Sequence, residues 1–524
     1  MRMGDGLRAI LNREEKPVNL SKSRYVKGMQ CPKMLWMDRY MPDEFDKSVM
    51  NEAVLEAGNM IGDFAMGYFG EFTEVSFSKN TTDMITETQR LIDAGVRIIA
   101  EASFAHKNNF CSADILRRNS DGSFDLVEVK ASSNTDEDTK SSENGSKFAI
   151  QYLHDMAYQY YVITNAGYRI NRVFLMQINK NYIRNGELDI SQFFVLNEAT
   201  EKVLALQEDI PANITGIISI AEQSDEPEDF IGSRCNKPYP CGYKKYCWRD
   251  MPKNNIYDIG FRMRSSKKDD FYQNGIVTFE DVANAGIDLS MAQARQINTE
   301  LYDLPAYVDK EGIKEFLDTL SYPLYFLDFE TFQQAIPQWD HVRPYMQIPF
   351  QYSLHIVGTR GAAPGHKEFL GKEGSDPRRE LAESLCEDIP SGVCTLAYNA
   401  GFEMKIIEDL AAIFPDLSEQ LMYIYDGIKD LIVPFRQGFY YSKAMGGSNS
   451  IKSVLPAMFP DDPVLDYSKL SLIHHGGDAM DAFTTLHEKP PEEIAEIRAA
   501  LLAYCQLDTL AMVKILERLY SLVE

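Results

Sequence analysis

The chain has 524 residues, of which 44% are hydrophobic and 25% charged, and its net charge is −25 at pH 7. This length is too great for one ordinary hydrophobic core and predicts two to four domains of a globular protein. The acidic balance excludes a protein that coats nucleic acid through its net charge, although a local basic groove is compatible with it.

The hydrophobic pattern of the sequence contains neither a membrane span nor a signal peptide, and this bears on where the protein is located. No apolar run approaches the roughly 18 residues needed to span a bilayer, and residues 1–20 are polar and mixed in charge, unlike a signal peptide. We therefore expect a cytoplasmic protein with no membrane association. In that reducing compartment, cysteines are expected as buried thiols or metal ligands rather than disulfides.

Four cysteines form a pattern in the first half of the chain. Cys31 lies in the segment 28–36, and Cys235, Cys241 and Cys247 follow at intervals of six residues. Four thiolates can bind zinc or an iron–sulfur cluster, and these residues alone do not decide between them. The basic residues nearby are expected to favour the thiolate form. The other cysteines are interpreted as buried thiols, and they are Cys111, Cys386, Cys394 and Cys505.

Two hydrophobic strands separated by the turn 120–123 are predicted downstream of Cys31. The first carries Asp114, and the second carries Glu128 and Lys130 on one face. A hairpin would bring Asp114 beside this pair. Two carboxylates can bind a divalent metal, and a lysine can steady the attacking water or the charged phosphate. The same pattern also occurs as a surface ion pair in ordinary strands. Glu101, at the start of an earlier strand, is a candidate for a further acid, but a solvated glutamate at the strand end is the preferred interpretation.

The position of these residues between the outer cysteines makes the segment 1–254 resemble the RecB-like iron–sulfur nucleases. The resemblance implies a PD-(D/E)XK, restriction-endonuclease-like α/β domain. It also implies a 4Fe–4S cluster, with zinc as the alternative, on the four residues Cys31, Cys235, Cys241 and Cys247. In such a domain the cluster ties the two ends of the fold together.

The same resemblance assigns the residues of a first nuclease site. Asp114 and Glu128 would be catalytic and would bind one or two Mg²⁺ or Mn²⁺ ions, and Lys130 would be catalytic. The segment 155–161 is similar to the family's helical motif with Gln and Tyr, which makes Gln159 a further catalytic candidate and Tyr161 a candidate auxiliary residue. The family's early Gly-x-x-x-His motif corresponds to residues 58–62, which contain no histidine. We therefore expect weaker metal binding at this site.

The middle of the chain contains no catalytic motif. Residues 131–147 are rich in Ser, Asn, Asp and Glu and are expected to form a mobile loop. Residues 255–320 are predicted as a small helical connector, with a helix-hairpin-helix-like DNA clamp as the alternative. Residues 231–270 hold ten Lys and Arg against four Asp and Glu. They are a candidate for a local nucleic-acid groove or a solvated charged surface.

Acidic residues interrupt two hydrophobic elements near the C-terminus. Asp328 and Glu330 follow the apolar run 324–327, so they share a face if the strand continues. Tyr504 and Asp508 are four apart in a long helical pattern and share a helix face. Carboxylates on apolar surface are costly unless compensated, and clustered Asp and Glu oxygens suit Mg²⁺ or Mn²⁺ better than zinc.

The elements predicted around these acids follow a defined order. They are strands at 324–329, 350–357 and 367–370, a helix at 378–385, a strand at 393–398 and a helix at 402–413. Together with the string Ala397–Glu403, which precedes and opens the last helix, this order makes residues 321–524 similar to the DEDD exonucleases. The likeness is to their tyrosine-bearing subclass, which has an RNase H-like fold.

The DEDD resemblance implies roles for five residues. Asp328, Glu330 and Asp508 would hold two metal ions, and Glu403 would complete the catalytic acid set. Tyr504 would orient the attacking water. The family's second motif normally ends in Asp, so Glu403 departs from it by one methylene.

These features predict an α/β protein with three parts: a PD-(D/E)XK domain with an iron–sulfur cluster, a helical connector and an RNase H-like domain. The predicted function is a metal-dependent nuclease acting on nucleic acid, with DNA favoured over RNA. A 3′→5′ exonuclease would occupy the C-terminal domain, beside a second, RecB-like nuclease site. The alternative is a nucleic-acid-binding scaffold with a structural cluster and a vestigial N-terminal site. No protein partner is indicated.

Overall fold

The computed structural model describes residues 18–133, 148–228 and 231–524. The polar start of the chain before residue 18, and residues 134–147 of the expected loop, lie outside this description. The chain divides into two compact units. Unit 1 comprises Met1–Asp250 and Ala335–Tyr345, and unit 2 comprises Met251–Gln334 and Met346–Glu524. The described residues form three β-sheets among many helices, which confirms the expected α/β class.

Unit 1 is built on a seven-stranded sheet. Its strands are β1 (Leu20–Ser21), β2 (Thr73–Glu74), β3 (Ile98–His106), β4 (Asn109–Arg118), β5 (Phe124–Ser133), β6 (Ile170–Ile178) and β7 (Phe194–Glu198). Its helices are α1 (Lys22–Gln30), α2 (Lys33–Tyr40), α3 (Glu52–Met66), α4 (Thr81–Asp93), α5 (Ile150–Asn165), α6 (Ile190–Phe193), α7 (Thr200–Ala205), α8 (Ile210–Ala221) and α9 (Lys244–Cys247). The strand order is β2-β3-β4-β5-β6-β7, and β1 pairs with β4.

Local chemistry explains the centre of this sheet. β4 and β5 form the predicted antiparallel hairpin, whose turn is fixed by the Asp121 carboxylate accepting from the backbone and hydroxyl of Ser123. Gly122 adopts a positive φ of 80° there, which suits glycine. β5 then pairs in parallel with β6 through the crossover helix α5. Met156 and Tyr158 of α5 are fully buried in the main core of this unit, so the helix lies on the sheet.

Unit 2 contains a five-stranded and a two-stranded sheet. Its strands are β8 (Tyr307–Val308), β9 (Leu324–Phe332), β10 (Ile348–Val357), β11 (Gly365–Leu370), β12 (Cys394–Ala397), β13 (Ile428–Asp430) and β14 (Tyr440–Tyr441). Its helices are α10 (Ser265–Gln273), α11 (Phe279–Asn284), α12 (Met291–Leu301), α13 (Lys310–Leu317), α14 (Arg378–Asp388), α15 (Gly401–Ile413), α16 (Ser418–Gly427), α17 (Val433–Arg436), α18 (Ile451–Met458), α19 (Gly476–Thr484) and α20 (Pro491–Val523).

The five-stranded sheet has the order β11-β10-β9-β12-β13. The strands β9, β10 and β11 are antiparallel, whereas β12 is parallel to both β9 and β13. The central strand β9 extends to Phe332, three residues beyond the predicted end. Asp328 and Glu330 therefore lie within a strand rather than after it, paired opposite Ser353 and Gln351.

The long helix α20 packs on this sheet through buried polar contacts as well as apolar ones. The Gln351 side-chain amide donates to the Leu501 carbonyl at 2.9 Å, and the hydroxyls of Ser353 and Thr509 are 2.7 Å apart. In the described part of the chain, α20 is the one helix long and apolar enough to cross a membrane, yet 67% of its most apolar window is buried. That burial is typical of a core helix, consistent with a soluble protein.

The segment expected as a separate connector packs as part of unit 2. Its strand β8 pairs with β14, and Ile313 and Phe316 of α13 are buried in the same core as Leu324 of β9. A second departure concerns Ala335–Tyr345, which belongs to unit 1. In this segment the Val342 carbonyl accepts a hydrogen bond from the Arg184 backbone of unit 1 at 3.1 Å. Pairing between residues this far apart leaves no local pattern in the sequence.

Candidate active sites

The first site lies where β9 meets α20 in unit 2. Asp328 and Glu330 are two residues apart on one strand and so share its face. The ligand atoms of Asp328, Glu330 and Cys505 all lie within 4.8 Å of one another, a grouping that could hold a metal ion. Cys505 Sγ is 3.6 Å from Asp328 Oδ2. Tyr504 and Asp508 flank this cysteine on the same buried helix. Strand and helix thus bring together four of the five predicted residues of this site.

The Tyr504 and Asp508 side of the site contains two residues that the sequence analysis missed. The Tyr467 hydroxyl donates to Asp508 Oδ1 at 2.5 Å. The Lys452 ammonium donates to the Tyr504 hydroxyl oxygen and to the His474 carbonyl, each at 3.0 Å. It also lies 5.0 Å from the centre of the Tyr504 ring and 5.3 Å from that of Tyr467. Lys452 therefore fixes the tyrosine predicted to hold water.

Glu403, the fifth predicted residue, lies in the first turn of α15 and is only 2% exposed. Its Oε2 atom is buried and has no hydrogen-bond partner among the residues that the structure describes. A buried carboxylate oxygen without a partner is costly, and a bound cation would compensate it. The charge of Glu403 also contributes to the raised pKa of Asp328 and Glu330, so it belongs to the same electrostatic cluster.

Burial and mutual repulsion make these acids resist ionisation. Burial, reinforced by Asp508, Glu330 and Glu403, raises the pKa of Asp328 well above its usual value. Burial first and Asp508 second raise the pKa of Glu330 to about 8. Burial likewise raises the pKa of Glu403 to about 8 and of Asp508 to about 6. A divalent cation would relieve this repulsion, and the donor set fits Mg²⁺ or Mn²⁺.

These shifts predict how the stability of the metal-free protein depends on pH. Glu330 and Glu403 have pKa values of about 8 when folded and near 4.3 when unfolded, so the folded state binds more protons between these values. Stability is therefore expected to fall as the pH rises from about 4.5 to 8. Mn²⁺ binds the deprotonated acids, so its stabilising effect should grow over the same window.

Thermal melts of the full chain in EDTA and in Mn²⁺, at several pH values, measure both trends. Glu403→Gln removes one titrating carboxyl while keeping nearly the same shape. It should flatten the pH dependence seen in EDTA and reduce the stabilisation by Mn²⁺. Identical pH profiles for the variant and the parent would show that Glu403 ionises as an ordinary glutamate.

The second site lies in unit 1, where the β4–β5 hairpin places Asp114 beside Glu128 and Lys130. Asp114 Oδ2 accepts from the Val129 backbone at 2.7 Å. The Lys130 ammonium bonds to Glu128 Oε1 at 2.5 Å and to Asp155 Oδ2 at 2.9 Å. The hairpin thus brings all three strand residues together, and Asp155 of α5 joins them.

Gln159 of α5 completes this group, because its amide donates to Glu128 Oε2 at 2.6 Å and to Asp155 Oδ1 at 3.0 Å. Glu101 lies inside β3, and the expectation that it is a solvated strand-end residue is wrong. Burial, reinforced by the charge of Asp114, raises the pKa of Glu101 to about 7. Tyr161 instead packs edge-on against His106, with the ring centres 6.1 Å apart.

Lys22, the first residue of α1, was not identified as a site residue from sequence. Its ammonium lies 3.0 Å from Asp114 Oδ1 and 3.1 Å from each oxygen of Glu128. Burial opposes ionisation of Glu128, but Lys130 and Lys22 together hold the pKa of its carboxyl well below the usual range. An ammonium therefore stands between the two carboxylates expected to bind metal. As arranged, these residues do not fit a divalent ion.

The four predicted cluster ligands lie together in unit 1. Cys31, Cys235, Cys241 and Cys247 share one small hydrophobic cluster with Trp36 and Tyr243, and no disulfide joins any of these four described cysteines. The Cys241 backbone donates to the Cys235 carbonyl at 2.9 Å, which brings these two segments together. Four cysteines packed in one small cluster supply the thiols that a four-thiolate metal centre requires.

Nearby basic residues do favour the thiolate form of these cysteines, as expected, but burial outweighs them. Burial raises the pKa of the Cys247 thiol to about 11, and burial also raises the pKa of Cys241, although Lys33 and Lys27 oppose these shifts. Desolvation thus outweighs the basic neighbours that the sequence shows. The thiols would be deprotonated by binding a metal rather than beforehand.

The residues missed from sequence reach the two sites through tertiary contacts. Lys22 is far from Asp114 in the chain, and Lys452 and Tyr467 follow no motif. Lys22 does lie close to Cys31, just before the first cysteine segment, and this proximity was the local feature that could have placed it near the unit 1 site. The sequence predicts Cys505 to be a buried thiol. Its position between Tyr504 and Asp508 on α20 could also have indicated that it faces the acids.

Comparison with known proteins gives one family match. Residues 325–450 match a family model described as a domain of unknown function, DUF2779. The matched range includes Asp328, Glu330 and Glu403 and ends before Tyr504 and Asp508. No curated protein and no solved structure gives a significant match to the chain.

Proposed function

We propose that unit 2 is a metal-dependent 3′→5′ exonuclease with an RNase H-like, DEDD-type arrangement. The observation that supports this most strongly is the convergence of Asp328 and Glu330 on β9 with Tyr504 and Asp508 on α20. These acids repel one another in a buried site, and a bound divalent cation would relieve that repulsion. The sheet order β11-β10-β9-β12-β13, with two strands parallel to β9, also supports an RNase H-like fold.

In this proposal the chain's own residues hold the reacting groups. Asp328, Glu330 and Asp508 would bind Mg²⁺ or Mn²⁺, and Glu403 would complete the acid set. When bound, such a pair of ions activates water and stabilises the leaving oxygen of an in-line displacement. Lys452 donates to the Tyr504 hydroxyl oxygen and Tyr504 also hydrogen-bonds with Asp508, so its hydroxyl would be held at the acids, where it could orient the attacking water. The water attacks the terminal phosphodiester, and the 3′ oxygen of the shortened strand leaves.

Unit 1 is proposed as a RecB-like, PD-(D/E)XK domain with a second nuclease site. Asp114, Glu128, Lys130 and Gln159 converge there, and the four cysteines would hold a 4Fe–4S cluster, with zinc as the alternative. The substrate of both sites would be nucleic acid, with DNA favoured over RNA, and the protein would work in the cytoplasm in DNA processing, repair or defence.

A second candidate function is a nucleic-acid-binding scaffold with a structural cluster and a vestigial site in unit 1. One observation favours it: the Lys22 ammonium bonds to both Asp114 and Glu128, where a catalytic metal would be needed. A purified full chain with no cleavage attributable to unit 1 under any concentration of Mn²⁺ would support the scaffold. Unit 2 would keep its proposed exonuclease activity in that case.

Tyr504→Phe tests the proposed role of the tyrosine in unit 2. The ring remains in a site that is only 4% exposed, so the variant should fold normally. Loss of the hydroxyl that positions water should reduce exonuclease turnover by about 100-fold. The change in KM should be small by comparison, as measured on single-stranded DNA with Mn²⁺. Tyr423→Phe, at a half-exposed position on α16, serves as the control. Equal turnover in both variants would remove Tyr504 from the mechanism.

A further inference from the structure

Lys22 is held in place by the fold around it. Leu20 and Ser21 pair with Asn109 and Phe110 of β4, so the residue just before Lys22 belongs to the central sheet. The Tyr158 hydroxyl donates to the Leu20 carbonyl at 2.7 Å. The Tyr25 ring, one turn further along α1, stacks on Tyr158 with the ring centres 4.5 Å apart. The backbone of Lys22 is therefore fixed above Asp114.

Lys22 and Lys130 both bond to Glu128, and each bonds to one further acid. Lys130 bonds to Glu128 and Asp155, on the side of α5. Lys22 bonds to Asp114 and Glu128. Among the described residues, Lys22 is the one cation within salt-bridge distance of Asp114. The ammonium of Lys22 thus takes the position between two carboxylates that a divalent ion bridging them would need.

The two partners differ in how easily they can move. The Glu128 side chain is fully buried, whereas the Lys22 side chain is 23% exposed. A lysine carries its charge on a flexible four-carbon stem, so the ammonium can leave the acids for solvent while the backbone stays fixed. Glu128 cannot leave in the same way because its side chain is fully buried, and Asp114, whose side chain is 22% exposed, is held by the hydrogen bond that it accepts from the Val129 backbone.

From this geometry we infer that Lys22 is a built-in competitor of divalent metal at the unit 1 site. It neutralises Asp114 and Glu128 while the site lacks metal, and a metal ion enters only by displacing it. The inference rests on the proposed metal-dependent nuclease site in unit 1. Its consequence is that this site fills at higher metal concentrations than the site of unit 2. Among the described residues, the lysine beside those acids is Lys452, which donates to the Tyr504 hydroxyl and the His474 carbonyl rather than to a carboxylate.

Mn²⁺ binding to the full chain tests this directly, with free Mn²⁺ measured by electron paramagnetic resonance. Asp328→Asn and Glu330→Gln are introduced together first, which removes ligands from unit 2 and leaves unit 1 as the site observed. In this background, Lys22→Met should bind Mn²⁺ at least about tenfold more tightly than the chain with Lys22, the order expected for losing one charged hydrogen-bonded competitor. Lys22→Arg keeps the cation and should bind as weakly as the parent.

Two further variants locate the effect and guard against misfolding. Adding Asp114→Asn to Lys22→Met should abolish the gain if the ion binds between these residues. Lys22→Gln keeps a hydrogen-bond donor and replaces Lys22→Met if the latter does not fold. Failure of both substitutions to fold, with and without Mn²⁺, would overturn the inference, since Lys22 would then be a counter-ion that metal cannot replace.

Unchanged Mn²⁺ affinity in Lys22→Met, or a gain that survives Asp114→Asn, would also overturn the inference. Cleavage measured in the same background separates it from the proposed function of unit 1. Tighter Mn²⁺ binding without cleavage would support Lys22 as a competitor of metal and contradict a nuclease activity of unit 1. Cleavage that depends on Asp114, with Mn²⁺ affinity independent of Lys22, would retain the nuclease and reject the competitor.

Discussion

Replacing Asp328 with asparagine is expected to reduce exonuclease turnover by about 10²–10³-fold or more. Losing one ligand of a metal site removes roughly 3–4 kcal/mol of transition-state stabilisation, comparable to losing one oxyanion donor. The amide has nearly the same shape as the carboxyl, and it cannot ionise beside Asp508, Glu330 and Glu403, whose charges oppose the ionisation of Asp328. The metal-free variant should therefore be at least as stable as the parent.

Degradation of a labelled oligonucleotide and thermal melting in EDTA measure these two effects. Asp318→Asn is the matched control, because Asp318 is 62% exposed and pairs on the surface with Lys314. It should leave both turnover and stability within experimental error. A loss of activity in Asp328→Asn accompanied by a lower melting temperature in EDTA would indicate a structural role for Asp328 instead.

Replacing Cys241 with serine is expected to remove the proposed metal centre of unit 1 and destabilise that unit. Metal binding to cysteine sites contributes directly to folding, so we expect the free energy of unfolding to fall by about 4 kcal/mol or more. Cys241 is the natural position to change, because it is buried and bonded through its backbone to the Cys235 segment.

The measurement is the iron content and brown colour of protein purified without oxygen, together with its melting curve. Cys386→Ser, a half-buried cysteine on α14 of unit 2, should keep all of the iron. If the purified protein contained one equivalent of zinc and no iron, the four cysteines would hold a zinc site rather than an iron–sulfur cluster. Neither metal in the parent protein would refute a four-thiolate centre altogether.

The elements that hydrophobic periodicity controls were predictable. The strand at 350–357 lies within Ile348–Val357, and the helix at 402–413 lies within Gly401–Ile413, since apolar runs of these lengths have few other ways to be buried. Tyr504 and Asp508 share a face because their spacing matches a helical turn. The extension of β9 past Glu330 was less predictable, since acids in a strand interior usually indicate its end.

What the sequence could not reveal depends on contacts between distant segments. Lys22 reaches Asp114 only because β1 pairs with β4, and two residues of pairing leave no pattern of their own. Lys452 and Tyr467 approach α20 from a region without a motif. The basic neighbours that favour the Cys247 thiolate are visible in the sequence, whereas the burial that outweighs them is not.

Metal-dependent exonucleolytic cleavage from a 3′ end is the activity proposed for the acids of unit 2. The most direct test incubates the full chain carrying Asp114→Ala, which disables the unit 1 site, with a 5′-labelled single-stranded DNA oligonucleotide and Mn²⁺. We expect a ladder of progressively shorter labelled products, which disappears in EDTA and when Asp328→Asn is added. Undegraded DNA at every Mn²⁺ or Mg²⁺ concentration, or a ladder unaffected by Asp328→Asn, would contradict it.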